Sequence, residues 1–265
     1  MNTGIIIQAR QSSSRLPNKI MLPLGSGHSV LGHVIERAKR ACPLVIVATT
    51  TEKEDDITEK EAIKYGTSVY RGSLDDVLSR YVGAMKEFHL EKAVRITSDC
   101  PCIDPSIIKN ILNLLETNDV DYVSNIDERT FPHGMDTEAF TADALFRSSA
   151  EENRPEYREH VTLHIRQSNI YRKLNYTTNT NVNPNIRVTL DTDEDYTALL
   201  AVYDLLGDNF SWRDVVHLYE KHTWLSRINS NVYQKSVFLN EDEERLEAIK
   251  LLKLHKMDNI VEKIK

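Results

Sequence analysis

The chain has 265 residues and 40% hydrophobic content, enough for one large α/β domain with a sizeable core. Its formal net charge of -7 argues against broad nucleic-acid binding, which needs a basic face to displace counterions from phosphate. No stretch approaches the roughly 18 apolar residues that span a bilayer, and no charged n-region precedes an apolar h-region, so a cytoplasmic protein off the membrane is expected.

Taken in chain order, short apolar runs at 4–9, 44–48, 67–70, 92–97 and 120–125 have the length and β-branched content of strands. Between them lie helical patterns near 29–41, 53–65, 74–88 and 105–117. The last has a start signal in Asp104-Pro105-Ser106, with Asp104 as N-cap and Pro105 in the first turn. Such alternation predicts βαβ units and a mixed, mostly parallel sheet with helices on both faces. From about 126 to 187 the alternation fails, and an excursion of strands with one helix near 156–168 is expected to line an acceptor site or meet a second subunit. The pattern resumes as a strand at Ile186–Leu190 and a helix at 193–206. Residues 241–265 read as an amphipathic helix, with Leu246, Ile249, Leu252, Leu254, Met257, Val261 and Ile264 at mainly three- and four-residue steps. The expected layout is therefore a single domain over 1–240 followed by that helix. Cys42, Cys100 and Cys102 form no even framework and read as small buried residues.

Three places carry chemistry. The first strand breaks at Ala9 into a small polar loop with Arg10, Arg15 and Lys19, inside a first forty residues that hold six Lys/Arg against the single acid Glu36. A loop at the carboxyl end of a first parallel strand is where open α/β sheets place ligands, and spaced fixed cations suit a polyphosphate. The second is Thr97-Ser98-Asp99-Cys100-Pro101, and the third is Asp191-Thr192-Asp193-Glu194-Asp195, each a strand running into an acidic turn. Carboxylates presented from two strand ends can converge on one Mg²⁺, which takes hard oxygens and shares its sphere with phosphate and water. Asp193, Glu194 and Asp195 suit the positive end of the following helix. Tyr196 and Val202 exclude a calcium loop. His160 and His164 stand four apart without the Glu of a His-Glu-x-x-His zinc motif.

The opening Ala9-Arg10-x4-Arg15-Leu16-Pro17-x-Lys19 resembles an element of the cytidylyltransferases that activate sugar acids, the group of CMP-Kdo synthetase and the acylneuraminate cytidylyltransferases. Phe131-Pro-His133-Gly134-Met-Asp136-Thr-Glu138-Ala-Phe140 and Tyr157-Arg158-Glu159-His160-Val-Thr162 are similar to patterns of its SpsF-like branch, named for a spore coat polysaccharide biosynthesis protein. The resemblance implies a Rossmann-like nucleotide-diphospho-sugar transferase fold. It also implies a CTP-dependent reaction that forms the CMP derivative of an acidic sugar or related acceptor and releases pyrophosphate. Nucleotide contacts are then expected at Ala9, Arg10, Arg15, Lys19, Arg71, Gly72, Ser73 and Thr97, with Ser73 also suited to cap the next helix. Acceptor contacts are expected at His133, Asp136, Glu138, Glu159 and His160, and Mg²⁺ at Asp99 and Asp191. Arg10, Lys19, Asp99 and Asp191 would carry the chemistry. A homodimer is the expected assembly. Asp191-Thr-Asp193 equally resembles the Asp-x-Asp of metal-dependent glycosyltransferases, which keeps that activity as an alternative beside a silent nucleotide-binding scaffold.

Overall fold

The computed structural model describes residues 2–13, 15–233, 241–254 and 257–264. They divide into two units, Met1–Val232 and Tyr233–Lys265.

In the first unit the elements are β1 (Thr3–Gln8), β2 (Pro23–Leu24), β3 (His28–Ser29), α1 (Val30–Lys39), β4 (Val45–Thr50), α2 (Asp56–Lys64), β5 (Ser68–Gly72), α3 (Val77–Glu87) and β6 (Lys92–Thr97). Then follow α4 (Pro105–Thr117), β7 (Tyr122–Ser124), β8 (Glu138–Thr141), α5 (Ala142–Glu151), α6 (Pro155–Glu159), α7 (Leu163–Gln167), β9 (Lys173–Asn175), α8 (Asp193–Leu206), α9 (Trp212–Lys221) and α10 (Leu225–Ile228). The large sheet has seven strands in the order β5-β4-β1-β6-β8-β7-β9. Strands β5, β4, β1 and β6 run parallel, and β8 is antiparallel to both of its neighbours. Gln8 is in register with both Ala48 and Thr97, so the loops after β1 and β6 leave the same sheet edge side by side. The strand order reverses between these two, which is where a sheet of this kind opens a crevice.

Strand alternation divides the core. Ile5, Ile7, Val45, Val47, Val94 and Ile96 face one layer, where α1, α4, α8 and α9 supply Leu31, Ile35, Ile107, Ile111, Val202 and Val215. Ile6, Ile46, Ala48 and Ala93 face the other, against Leu78, Tyr81 and Met85 of α3 and Leu145 of α5. Burying each of the Val, Leu, Ile and Met side chains contributes about 1.5–3 kcal/mol, so the two faces together hold the strand ends in fixed positions. Asp104 caps α4 by accepting from Ser106 N at 2.7 Å, and its other oxygen accepts from Trp212 N at 2.7 Å, tying the start of α9 to the same carboxylate. All three cysteines are free and buried, and burial pushes the Cys102 thiol up to about 12.

Several elements differ from the sequence-based expectation. Residues 186–190 are extended and buried yet form no strand of the sheet: they make one isolated parallel bridge, Arg187 to His133, in a segment that itself lies outside the strands. The helix expected near 156–168 is two short ones, α6 and α7, separated by Val161 at φ 54°. In the second unit, the single helix expected over 241–265 is also two, α11 (Glu241–Leu254) and α12 (Asp258–Ile264). Leu246 and Met257 of that expected apolar face are exposed, whereas Val261 is buried. Parts of this prediction, at residues 234–240, 255–256 and 265 and at the side chains of Leu254 and Ile264, lie outside what the structure describes.

Candidate active site

The loop after β1 is shaped by its neighbours. Ala9 is buried and donates its N–H to Ala48 O at 3.1 Å, after which Arg10 turns out to solvent. Gln11 is fixed by its N–H to Asp55 Oδ1 at 2.8 Å and its Nε2 to Thr58 Oγ1 at 2.7 Å. The chain then reverses through Asn18, at φ 57°, into a 3-10 turn over Lys19–Met21 whose Ile20 is buried. Asn tolerates the left-handed region better than most residues, and the Ile20 anchor aims the preceding lysine inward.

Lys19 is the centre of the site. Its Nζ donates to Asp99 Oδ2 at 2.7 Å, to Leu190 O at 2.6 Å and to Asp191 Oδ1 at 2.9 Å. Asp191 Oδ1 also pairs with Arg15 Nη2 at 2.9 Å. Burial opposes charge on Asp99 and on Lys19 alike. The Lys19 ammonium and its hydrogen bond nevertheless hold the Asp99 carboxyl down to about 2, and the two carboxylates hold Lys19 above the usual lysine range.

A further set of groups fixes Asp191. Arg187 Nη2 donates to Asp191 Oδ2 at 2.8 Å, while its Nε meets Asp195 Oδ1 at 2.8 Å. Asp195, wholly buried, accepts from Asp191 N at 3.0 Å and from Asn229 Nδ2 at 2.9 Å. Asp195 therefore does more than complement a helix dipole. Leu190 N and Thr189 Oγ1 donate to Asp99 O at 2.9 and 3.2 Å, so the segment carrying Asp191 is docked on residue 99 itself. Sequence reasoning assigned Arg187 and Asn229 no role. The four-residue spacings of Arg187, Asp191 and Asp195 are a usable signal; Asn229, beyond α8, α9 and α10, gives none.

The donor set suits a hard cation. Asp99 Oδ2, Leu190 O and Asp191 Oδ1 already converge on one positive nitrogen, and all three are the oxygen type that Mg²⁺ accepts. No cluster of three or more His, Cys, Asp or Glu side chains suited to a metal exists among the described residues, so a divalent ion here would draw further ligands from substrate or water.

Other expected contacts are placed differently. Arg71, at the end of β5, is committed to Asp56 Oδ1 at 2.7 Å, Glu59 Oε2 at 2.8 Å and the carbonyls of Thr50 and Glu52, both at 2.8 Å. The guanidinium is thus turned onto the acids of α2 and the carbonyls that precede it. Ser73 does not cap α3: Asp76 does, accepting from Ser79 N at 2.8 Å, while Ser73 Oγ accepts from Asp76 N at 3.1 Å. A Cβ on Gly72 would lie 3.0 Å from Arg80 Cγ. Arg80 is buried with Nε and Nη1 lacking hydrogen-bond partners, and burial, with Arg10 adding to it, lowers its pKa. Thr97 ends β6 half-buried, its hydroxyl 3.2 Å from Cys100 Sγ.

The 131–136 segment reaches the acids. His133 N donates to Ile186 O at 3.0 Å and Val188 N returns to His133 O at 2.8 Å. Gly134 allows this: at φ 101°, a Cβ would stand 2.6 Å from Val188 C and Thr189 N. Burial lowers the His133 pKa, with Asp136 and Asp191 acting in the opposite direction. Asp136 is bound by Arg129, which overcomes burial and holds its carboxyl below the usual range. Glu138 is interior rather than open to an acceptor: it accepts from Tyr122 OH at 2.8 Å and is bonded to Arg95 and Thr162. Glu159 is exposed on α6, and His160 stands half-buried before the left-handed Val161.

A model of the cytidylyltransferase family matches residues 4–252. The chain belongs to that family. This cytidylyltransferase is 36% identical over 238 residues to the uncharacterized protein MJ1063 of Methanocaldococcus jannaschii, covering 87% of this chain and 96% of that one. It is 31% identical over 214 residues to the spore coat polysaccharide biosynthesis protein SpsF of Bacillus subtilis, covering 77% and 87%. Among solved structures, it superposes on a cytidylyltransferase from Leptospira borgpetersenii with a TM-score of 0.81 at 34% identity, covering 90% of this chain and 99% of that one. The fold is thus the Rossmann-like nucleotide-diphospho-sugar transferase fold. Among the described residues no helix of this cytidylyltransferase is long and apolar enough to cross a membrane.

Proposed function

We propose that this cytidylyltransferase transfers CMP from CTP to an acidic sugar or a related acceptor in surface polysaccharide synthesis, working in the cytoplasm as a homodimer. The observation that carries the reading is the meeting of Asp99, Leu190 O and Asp191 at one cation position beside Arg15. The likeness to SpsF supports the polysaccharide setting.

In the reaction an acceptor oxygen attacks the α-phosphorus, a new oxygen–phosphorus bond forms, and the bond to pyrophosphate breaks. The acceptor hydroxyl's proton passes to water or to the departing pyrophosphate. Bound at Asp99 and Asp191, Mg²⁺ would supply charge neutralisation at the phosphates. The chain's own task is to position the reactants and offset developing charge. Arg10 and Arg15 would hold phosphate oxygens, Arg187 and Asp195 keep Asp191 oriented, and His133 lies along the segment that carries it.

Pyrophosphate release with CTP and a panel of sugar acids tests the reading. Asp99→Asn and Asp191→Asn should each abolish most turnover, and the double variant should lose little more, because each removes part of one site. Independent multiplicative losses, or full activity in chelator, would sink the shared-metal mechanism. Release of a nucleoside mono- or diphosphate from a nucleotide sugar would instead identify a glycosyltransferase. Metal-independent nucleotide binding with no pyrophosphate from any acceptor would leave a binding protein.

A further inference from the structure

An ammonium group has three N–H donors and no acceptor. Lys19 has three oxygen partners within 2.9 Å: a carboxylate from the end of β6, a backbone carbonyl, and a carboxylate from the head of α8. In this arrangement no donor is left for a phosphate. The side chain is only 11% exposed, so its charge is aimed inward at the acids rather than outward at the crevice. Arg10 and Arg15 differ: Arg10 is exposed and the side chain of Arg15 is 40% exposed.

Lys19 can reach a triphosphate only by leaving the acids. Departure would leave Asp99 and Asp191 facing one another without the cation between them, at a cost in repulsion and desolvation. A divalent ion meeting the same three oxygens removes that cost. The lysine stem is long and flexible enough for such an exchange, whereas Arg187 stays on the other oxygen of Asp191 and preserves its orientation.

We propose that Lys19 is an internal counter-ion that holds the two carboxylates until a divalent cation arriving with nucleotide takes its place, and that the released ammonium then engages the phosphates. The inference rests on the reading that a divalent cation serves Asp99 and Asp191. It makes metal binding weak in the nucleotide-free protein, because the ion must evict a bound ammonium. Nucleotide strengthens metal binding by offering the ammonium a new partner.

The test is Mn²⁺ binding without nucleotide, read from the free-ion electron paramagnetic resonance signal, for the wild type, Lys19→Met and Lys19→Gln. Both variants should bind Mn²⁺ more tightly than the wild type, on the order of tenfold, within the usual span of coupling between two sites. Adding Asp99→Asn to either should erase the gain. Thermal unfolding gives a second readout: Mn²⁺ alone should raise the midpoint of the variants more than that of the wild type. Lys19→Gln keeps an N–H donor toward the acids, so it serves where Lys19→Met folds poorly. Equal or weaker Mn²⁺ binding in the folded variants would overturn the exchange. These are binding measurements on the apoprotein, so failure to find an acceptor or pyrophosphate release would count against the proposed activity and not against Lys19.

Discussion

Arg71 shows how a cation at a strand end can serve the fold instead of a ligand. Its guanidinium closes the carboxyl end of β5 onto Asp56 and Glu59 and onto two carbonyls, and both ion pairs are partly solvated. Arg71→Ala should therefore cost about 1–2 kcal/mol in urea unfolding, the sum of modest ion pairs and lost hydrogen bonds. CTP affinity should stay within about twofold, since no charge-assisted contact to phosphate is lost; a large fall in affinity would return Arg71 to the nucleotide site. Asp136 makes a pH-dependent contribution. Its folded carboxyl is held below the usual aspartate range because Arg129 outweighs burial. A depressed carboxyl contributes stability that is whole above its unfolded pKa and is lost as pH falls through the lower, folded value. Wild type should thus lose its advantage over Asp136→Asn as pH drops below about 4, as read by unfolding midpoints across pH. An advantage that grew toward acid would contradict the Arg129 pairing. These roles were only partly legible. The chain order shows that a cation or acid is present, but Arg71 and Asp136 find Asp56 and Arg129 only after α2 and the 126–136 loop have folded.

At the scale of elements, the crossing of the 131–136 segment over 186–190 decides where the second acid stands. Gly134→Ala would place a methyl group against the Val188 and Thr189 backbone and hold a left-handed φ. Backbone atoms cannot yield as a side-chain tip can, so a loss of at least about 2 kcal/mol is expected. The displacement would also move the His133 bridge, so turnover should fall more than unfolding alone explains. Thermal unfolding and pyrophosphate release measured together check this; a variant of normal stability and rate would show the crossing to be incidental. β6 and α4 stand where periodicity and the Asp104-Pro105 start signal put them. The 186–190 segment read as a strand because Ile186, Val188 and Leu190 alternate and are buried. Alternation reports which side is dry, and it is silent on whether a hydrogen-bonded neighbour lies alongside. The split between α6 and α7 was equally hidden, since Val161 in a left-handed conformation goes against the preference of a β-branched residue.

Across the whole molecule, the proposed reaction requires an acidic protein to attract an anionic substrate, which calls for a local reversal of sign. The first forty residues supply that reversal, and the sheet carries Arg10 and Arg15 to the point where its strand order turns. Exposed charges are screened as the Debye length shrinks from about 30 Å at 0.01 M salt to about 8 Å at 0.15 M. CTP affinity should weaken steadily over that range, and Arg10→Ala should flatten the slope in calorimetric titrations at several KCl concentrations; an unchanged slope would remove Arg10 from the attracting field. The alternation of the first half made this layered sheet readable, because parallel strands covered on both faces must be apolar throughout. The docking of Asp99 on Leu190 and Thr189 also sets an order in time. Thr189 lies 90 residues beyond Asp99. A ribosome adding roughly 5–20 residues per second takes about 5–18 s to make that length. During that interval the emerging chain already carries its cationic loop and its first acid, but the second does not yet exist. Competence arrives late in synthesis, when the final third of the chain clears the ribosome and closes the gap.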